Sequence, residues 1–321
     1  MAPRTVLLSG GVGGAKLADG LARILPPERL SVVVNTADDF EHYGLAISPD
    51  VDTVLYTLAG LANPATGWGI AGDTDRVMAA LRALGDPAWF HLGDRDLATH
   101  LVRSAALAGG GRPTEVIGRL AAALGVGPRI LPMSDDTVRT VVSTSAGDVD
   151  FQTWFVRQRC EPPATGLRLE GAGTARPSPE VLRALDAAEV VVLGPSNPYL
   201  SIGPILALAP VAERLAGGRA PVVALSPIIA GAAVKGPAAR LLADLAGEAS
   251  SLAVARRYAR FLDGLLVDRA DGQLAGPIEA LGIAVRRTDA LMRDAGDRMR
   301  LAAEALALAA DLADRPGRSR R

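Results

Sequence analysis

Residues 5–16 of this 321-residue chain read TVLLSGGVGGAK. The apolar run at residues 5–8 is typical of a buried strand, and Leu17, Leu21 and Leu25 follow the glycines at the spacing of an amphipathic helix. A strand, a glycine turn and a helix in this order form the usual first unit of a parallel sheet. The opening stretch therefore predicts an α/β fold.

Later parts of the chain continue this pattern. A second apolar run, residues 30–34, ends at Asn35 and completes a strand–helix–strand unit. We expect a single Rossmann-like α/β domain over residues 1–321, with a mostly parallel sheet flanked by helices. The strands and helices predicted in its C-terminal half lie at residues 179–187, 190–193, 221–225, 264–267 and 294–312.

One segment departs from the parallel-sheet pattern. Between residues 129 and 169 the apolar period changes to two, and residues 138–144 and 149–156 flank a turn, which predicts a β-hairpin. Since a helical pattern precedes this hairpin, we expect a smaller inserted lobe, helical and hairpin in structure, at residues 110–170. The arginine-rich residues 315–321 are expected to form a disordered tail.

The charge balance excludes several kinds of partner. The chain has 34 basic and 35 acidic residues, and its formal charge is -1. Because this charge gives no long-range field, neither nucleic acid nor a membrane surface is an expected partner. The single cysteine, Cys160, cannot form an internal disulfide, and no apolar stretch approaches the roughly 20 residues of a membrane helix. We expect a cytoplasmic protein.

The glycine turn predicts an anion site. Backbone N–H groups at the start of a helix point toward the preceding loop, and glycines let a phosphate approach them. Leu17 follows Lys16, so the loop is neither a standard P-loop nor a dinucleotide fingerprint. A structural role, close packing of the helix on the strand, is the alternative for the glycines. The predicted phosphate-binding residues are Gly10, Gly11, Gly13, Gly14 and Lys16.

Four aspartates predict a metal site. Asp38 and Asp39 follow the second strand, and Asp50 and Asp52 lie at the start of a predicted helix. Carboxylates near a phosphate repel it unless a cation lies between them, and Mg²⁺ takes one or two carboxylates together with phosphate oxygens. Helix capping is the alternative for Asp50 or Asp52 taken alone.

Other polar residues are candidates for ligand contacts. Asp94-Arg95-Asp96 places a guanidinium between two carboxylates, which suits a planar or anionic ligand, although helix capping and internal salt bridges are alternatives. His91 and His100 have no Cys or His partner at metal spacing and are interpreted as structural. The remaining candidates lie at the ends of apolar runs: Asn35, Ser134, Asp135, Ser196, Asn197 and Ser226.

Seven motifs of the chain occur in the order known from one protein family. They are SGGVGGAK (residues 9–16), NTADD (35–39), SPDVDT (48–53), LGDRDLATH (92–100), LPMSDD (131–136), GPSNP (194–198) and SPII (226–229). Together they resemble the 2-phospho-L-lactate transferase family of coenzyme F-420 biosynthesis. The resemblance extends from about residue 5 to residue 292, and the ordered set of motifs is far more specific than any one of them.

This resemblance implies a Mg²⁺-dependent transfer. A guanosine diphosphate-linked three-carbon acid is the implied donor, the terminal ribityl hydroxyl of the deazaflavin Fo attacks its phosphorus, and GMP leaves. The family also implies a homodimer. Proton acceptance from the hydroxyl by Asp50 or Asp52 is a further hypothesis. The implied roles are guanine-nucleotide binding by residues 10–16, Ser196 and Asn197, Mg²⁺ binding by Asp39, Asp50 and Asp52, and deazaflavin contact by Arg95.

Two other functions fit parts of the sequence. A non-catalytic protein that binds nucleotide sugars and regulates central metabolism or cell-wall synthesis would share the glycine loop and the sheet. A nicotinamide dehydrogenase is disfavoured, because the third fingerprint glycine is missing and the second strand ends at Asn35 and not at an acid. The sequence leaves open whether the donor carries enolpyruvate, lactate or glycerate. The transferase interpretation requires the glycine loop, the aspartates and Arg95 to meet in one cleft.

Overall fold

The computed structural model describes residues 1–234 and 236–314. Lys235 and the predicted tail at residues 315–321 lie outside the described residues. The strands are β1 (Thr5–Ser9), β2 (Leu30–Val34), β3 (Phe40–His42), β4 (Leu45–Ile47), β5 (Arg129–Pro132), β6 (Arg139–Thr144), β7 (Gly147–Asp150), β8 (Ala164–Glu170), β9 (Val190–Leu193), β10 (Val222–Leu225), β11 (Ile228–Ile229), β12 (Ala232–Ala233), β13 (Gly264–Asp268) and β14 (Ala284–Thr288).

Helices connect and cover these strands. In chain order they are α1 (Val12–Ile24), α2 (Pro49–Leu58), α3 (Arg76–Ala83), α4 (Asp94–Ala108), α5 (Pro113–Ala123), α6 (Pro179–Asp186), α7 (Ile202–Ala207), α8 (Val211–Gly217), α9 (Ala238–Ala246), α10 (Ser251–Tyr258), α11 (Ala275–Glu279) and α12 (Ala295–Ala313). Among residues 1–234 and 236–314, no helix combines the length and the apolar character needed to cross a membrane.

A seven-stranded parallel sheet forms the centre of the fold, in the order β14-β13-β10-β9-β1-β2-β5. The predicted Rossmann-like α/β fold is confirmed. From β1 the chain proceeds outward to β2 and β5, and it then returns to β9 on the other side of β1. Such a reversal of strand order opens a crevice at the carboxyl ends of the strands, where ligands bind in open α/β sheets.

Both faces of the sheet are covered, which explains the continuous apolar runs of its strands. Leu7 of β1 packs with Leu17 and Leu301, on the face covered by α1 and α12. Leu8, the next residue, points to the opposite face and packs in the same cluster as Val181 and Ile205. Because successive side chains of a strand alternate between faces, one short apolar run supplies two separate cores.

A smaller antiparallel sheet, in the order β7-β6-β8, stands apart from the central sheet. We call this sheet and its π-helical turn at Thr153–Arg157 the inserted lobe. The predicted bounds of 110–170 were too wide at the N-terminal side, because β5 pairs with β2 in the central sheet and α5 packs against β5. The second hairpin strand was also predicted too long: β7 ends at Asp150, and β8 supplies the third strand.

Candidate active site

A cleft of about 500 Å³ lies at the carboxyl ends of β1, β2 and β9. This volume is within the usual range for small-molecule sites. The glycine loop and aspartates supply the polar part of its lining, which is otherwise mostly apolar. Another part is lined by aromatic side chains from residues 68–92 and from the inserted lobe. The cleft can therefore hold a charged group and a large planar group side by side.

The glycine loop forms part of the cleft wall, where Gly11, Gly13 and Lys16 line it. Helix α1 begins at Val12 without a side-chain cap and without an acidic residue in its first turn. Its first N–H groups therefore have no partner within the helix, and they carry the positive end of the helix dipole. Lys16 is anchored by a hydrogen bond from Nζ to the carbonyl of Met292, at 3.0 Å.

The glycines also have a packing role. A Cβ at Gly13 would lie 2.3 Å from the carbonyl oxygen of Pro195, and one at Gly14 would lie 2.1 Å from Ser9 Oγ. The loop after β9 thus lies directly on the loop after β1, as the hydrogen bond from Gly10 N–H to Ser196 Oγ at 3.0 Å also shows. The glycines of this loop therefore allow close packing against the loop after β9, and Gly11 and Gly13 also line the cleft.

Two carboxylates, Asp38 and Asp50, line the cleft, and Asp50 lies directly against the glycine loop, where its Oδ1 would be 2.7 Å from a Cβ at Gly11. Asn35 donates from Nδ2 to Asp50 Oδ2 at 3.0 Å. Burial raises the pKa of Asp50 to about 6, although hydrogen bonds from Asn35 and from Gly11 N–H oppose the shift. Burial and the nearby Asp50 and Asp39 raise the pKa of Asp38 well above its usual range. Its Oδ1 is buried and has no hydrogen-bond partner among the described residues.

The other two aspartates of the predicted metal set are engaged elsewhere. Asp39 accepts a hydrogen bond from Ser48 Oγ at 2.7 Å and lines a second, smaller cavity of about 130 Å³. Burial raises its pKa to about 8. Asp52 touches the cleft wall, but Arg103 binds both of its oxygens. Of the predicted set Asp39, Asp50 and Asp52, the structure therefore leaves Asp50 in the cleft without an ion pair among the described residues, and it places Asp38 there as well.

Asp52 belongs to a buried network that forms one wall of the cleft. Arg103 Nη1 contacts His100 Nδ1 at 3.2 Å, and because arginine only donates, this nitrogen accepts and His100 carries its proton on Nε2. That nitrogen lies 3.3 Å from Asp96 Oδ1, which also accepts from Tyr56 Oη at 2.6 Å. Burial would raise the pKa of Asp96, but its contacts with His100 and Tyr56 hold it below the usual value.

This network has the residue types and the spacing of a metal site, but an arginine already occupies it. Ligand atoms of Asp52, Asp96 and His100 lie within 4.8 Å of one another, which would suit a metal ion. The Arg103 guanidinium, however, is itself almost fully buried beside Asp52 and already supplies the positive charge. The interpretation of His100 as a structural histidine agrees with its place in this network.

Of the triplet Asp94-Arg95-Asp96, only Asp96 lines the cleft. Asp94 caps the start of α3, where it accepts the N–H groups of Arg76 and Val77 at 3.1 and 3.0 Å. Arg95 is exposed, and its Nη1 donates to the carbonyl of Ala71 at 3.3 Å. The structure does not bring Arg95 to the cleft, because its position in the first turn of α4 directs the side chain to the outer surface.

Ser134 and Asp135 also lie outside the cleft, on the smaller cavity. Asp135 accepts Thr114 N–H at 2.8 Å and pairs with Arg112, so it caps α5 and holds a surface ion pair. Ser134 Oγ donates to the carbonyl of Arg176. Asp135 is therefore a helix cap and Ser134 makes an internal hydrogen bond, which is the alternative that the sequence left open.

The three remaining candidates lie in the cleft. Asn197 Oδ1 accepts Tyr199 N–H at 2.9 Å, while its buried Nδ2 has no partner among the described residues. Ser226 Oγ lies 2.8 Å from Ser251 Oγ. Ser196 already accepts Gly10 N–H. The Asn197 amide is therefore the group of this set that still has a free donor.

Sequence reasoning missed the aromatic part of the cleft. Trp68, Trp89 and Phe90 line it from the chain between α2 and α4, and Phe155 lines it from the inserted lobe. Trp68 is 46% exposed, and Phe151 and Phe155 stack with ring centres 5.3 Å apart. The only local signal was that aromatic residues, scarce at 4% of the chain, concentrate in these two segments.

Comparison with known proteins identifies the family. A family model described as 2-phospho-L-lactate transferase CofD matches residues 5–290. The phosphoenolpyruvate transferase of Kitasatospora aureofaciens is 44% identical over 313 residues, covering 95% of this chain and 98% of the relative. The 2-phospho-L-lactate transferase of Methanosarcina acetivorans is 43% identical over 287 residues, covering 89% and 93%.

Structural similarity agrees with this result. The crystal structure of a UPF0052 family protein from Bacillus halodurans matches with a TM-score of 0.63 at 17% identity, and it covers 95% of this chain and 99% of the other. At that identity the likeness shows the shared fold alone. The family matches extend over nearly the whole chain, and they confirm the family predicted from the seven motifs. The chain therefore belongs to the 2-phospho-L-lactate transferase CofD family and is a transferase of that type.

Proposed function

We propose that the protein transfers a phospho-three-carbon-acid group from a guanosine diphosphate-linked donor to the terminal ribityl hydroxyl of the deazaflavin Fo, in a Mg²⁺-dependent reaction that releases GMP. One observation carries this proposal. Asp38 and Asp50 have no ion-pair partner among the described residues. They line the same cleft as the uncapped N-terminus of α1 and a group of aromatic side chains.

The carboxylate pair fits Mg²⁺. Asp38 and Asp50 offer hard oxygen ligands, and a buried Asp38 oxygen without a partner is an orphaned acceptor that a cation would satisfy. When bound, Mg²⁺ neutralises charge on the diphosphate of the donor. Asp52 is not assigned to the metal, because Arg103 binds both of its oxygens. Asp39 also has a buried oxygen without a hydrogen-bond partner among the described residues, but it lines the smaller cavity and not the cleft.

The protein's own groups would position the reactants. N–H groups at the start of α1 and the Lys16 ammonium would bind phosphate oxygens, and Asn197 Nδ2 would donate to the nucleotide. The aromatic part, with Trp68 and Phe155, would hold the tricyclic ring. In the reaction the hydroxyl oxygen forms a bond to phosphorus, the bond to the GMP oxygen breaks, and the hydroxyl proton leaves. Such a displacement depends on alignment and charge stabilisation and needs no covalent enzyme intermediate.

Proton acceptance by Asp50 is the alternative to its role as a Mg²⁺ ligand, and when Asp50 binds the metal the hydroxyl proton passes to water. Asp52 is not placed to accept the proton, because Arg103 binds both of its oxygens. The three-carbon acid is not decided by the relatives, since a phosphoenolpyruvate transferase and a 2-phospho-L-lactate transferase are 44% and 43% identical to this chain.

Direct assay tests the proposal. The protein is incubated with Fo, Mg²⁺ and, in separate reactions, the guanylylated forms of phosphoenolpyruvate, 2-phospho-L-lactate and phosphoglycerate. Mass spectrometry should detect the phosphodiester of Fo together with GMP from at least one donor, and EDTA should abolish both products. No product from any donor would refute the proposal. Tight binding of a UDP-sugar without turnover would instead favour the non-catalytic regulator.

A further inference from the structure

The inserted lobe contacts the loop that carries Asp38. Thr140 N–H of β6 donates to the carbonyl of Ala37 at 2.8 Å, and Gln152 Nε2 donates to the carbonyl of Asp38 at 3.1 Å. A carbonyl only accepts, so the Gln152 amide must present its NH₂ group to it. The lobe therefore holds the two peptide groups that flank the Asp38 Cα.

Gln152 is well placed to fix this loop. It is 5% exposed and lines the cleft. Its own position is set by Trp154 two residues later, which is fully buried in the lobe core and donates from Nε1 to the carbonyl of Pro162 at 2.8 Å. A buried donor on a rigid support restricts where the Asp38 carbonyl can lie, and with it the Cα from which the carboxylate extends.

The remaining contacts of the loop are local. Asn35 Oδ1 accepts Ala37 N–H at 3.0 Å, and Asp39 N–H donates to the carbonyl of Thr36 at 3.3 Å. These bonds shape the turn but do not bind the Asp38 carbonyl. Within the described residues, Gln152 is the recorded hydrogen-bond partner of that carbonyl.

We propose that Gln152 is a positioning residue, through which the inserted lobe holds Asp38 beside Asp50 for metal binding. This inference rests on the proposed function, because it uses the metal site assigned there. Groups that orient metal ligands without touching the metal commonly change metal affinity by 10–100-fold when they are removed. Since Gln152 acts through a main-chain carbonyl, we expect a loss of about 10-fold, near the lower limit of that range.

The test compares Gln152→Met with Gln158→Met. Methionine keeps the approximate length of glutamine but cannot donate. Gln158 belongs to the same turn but contributes no side-chain hydrogen bond to the Asp38 loop among the described residues. Mn²⁺ binding to the GDP-bound protein is measured by calorimetry. We expect about 10-fold weaker binding for Gln152→Met and wild-type binding for Gln158→Met.

Two further measurements separate positioning from general damage. GDP affinity in EDTA should stay at the wild-type value in Gln152→Met, and saturating Mg²⁺ should restore turnover to within about 2-fold. The melting temperature without ligand should fall only slightly, because one buried hydrogen bond is lost. If Gln152→Met does not fold, Gln152→Asn replaces it, because its amide is one carbon shorter and should likewise bind Mn²⁺ more weakly.

The outcomes distinguish this inference from the proposed reaction. Equal Mn²⁺ affinity in wild type and Gln152→Met overturns the positioning role and leaves the reaction standing. A third outcome is that the wild-type protein binds Mn²⁺, Gln152→Met binds it more weakly, and the wild-type protein forms no product from Fo. This outcome would support the positioning role and refute the reaction. No Mn²⁺ binding by the wild-type GDP complex would overturn the inference together with the metal site on which it rests.

Discussion

Two groups of aspartates lie close together in this protein and differ in how their charge is balanced. Asp52 and Asp96 belong to a network that contains its own cation, Arg103, and a histidine. Asp38 and Asp50 have no ion-pair partner among the described residues, and their pKa values are raised by burial and, for Asp38, also by the neighbouring carboxylates. The first group contains its own cation, whereas the second contains none among the described residues.

This difference separates stability from function. Carboxylates that the protein neutralises itself hold the wall of the cleft in place. Carboxylates left without a cation are a cost in the unliganded protein, and such residues are typical of binding sites. We expect substitutions in the first group to change mainly the free energy of unfolding, and substitutions in the second to change mainly ligand binding and turnover.

The largest expected effect is on stability. Arg103→Met should lower the free energy of unfolding by about 3–5 kcal/mol, because it leaves the buried Asp52 carboxylate without its cation. Urea denaturation measures this change. The matched control is Arg168→Met, an exposed arginine paired with Asp148, for which little or no loss of stability is expected. Similar losses for the two variants would contradict the assignment of Arg103 as the internal cation.

The second prediction concerns turnover. Asp50→Asn should reduce kcat for the Fo reaction by about 10²–10³-fold, a loss typical of a missing charge-stabilising group, while the free energy of unfolding does not fall. Asp38→Asn should behave in the same way. Steady-state rates at saturating Mg²⁺, with urea denaturation in parallel, provide the measurement. Unchanged turnover in both variants would remove these carboxylates from the proposed site.

The smallest expected effect is a dependence of stability on pH. Burial raises the pKa of Asp50 in the folded protein to about 6, above the value of about 3.9 expected in the unfolded chain. The folded state therefore binds the proton more tightly, and the Asp50 charge destabilises the protein progressively as pH rises from about 4 to about 6. Asp50→Asn should be more stable than wild type above pH 6 and equal to it below pH 4.

Thermal melts in EDTA across this pH range provide the check. GDP with Mg²⁺ should abolish the advantage of Asp50→Asn at pH 8, because the cation then balances the wild-type carboxylate. Asp148→Asn is the control, because its effect on stability should have the opposite sign. Hydrogen bonds from Ser143 and Arg168 lower the pKa of Asp148, so this variant should lose stability at neutral pH, and the loss should vanish on acidification. A pH-independent difference for Asp50→Asn would show that its charge is not buried.

Much of the fold was predictable because its signals are local. The strand at residues 190–193 was predicted with the observed bounds, and β1, β2 and α12 within one residue at each end. The assignment of β5 to the inserted lobe failed for a physical reason. Its apolar residues fit an antiparallel lobe or an edge of the central sheet equally well, and only pairing with β2 over Ser31 to Val34 decides between them.

The candidate site was predicted in kind but not residue by residue. The structure brings the glycine loop and Asp50 together, with Asn35 bonded to Asp50. It places Asp38 in the cleft in place of Asp39, and Asp52 lines the cleft but is bound to Arg103. Adjacent aspartates look alike in a sequence, but one backbone turn directs Asp38 to the cleft and Asp39 to the smaller cavity. Arg95 was chosen for its charge between two acids, yet its exposed side chain bonds to Ala71.

The sequence alone determined the parallel α/β fold, the glycine turn after the first strand and the family, because apolar periodicity, glycine turns and ordered motifs are properties of neighbouring residues. Only the tertiary structure decided which aspartates lack a cation. The arginine that neutralises Asp52 lies 51 positions away, and the glutamine that binds the Asp38 carbonyl lies 114 positions away. Charge balance and ligand position depend on distances in space, and those distances are set by how the sheet, the helices and the inserted lobe pack.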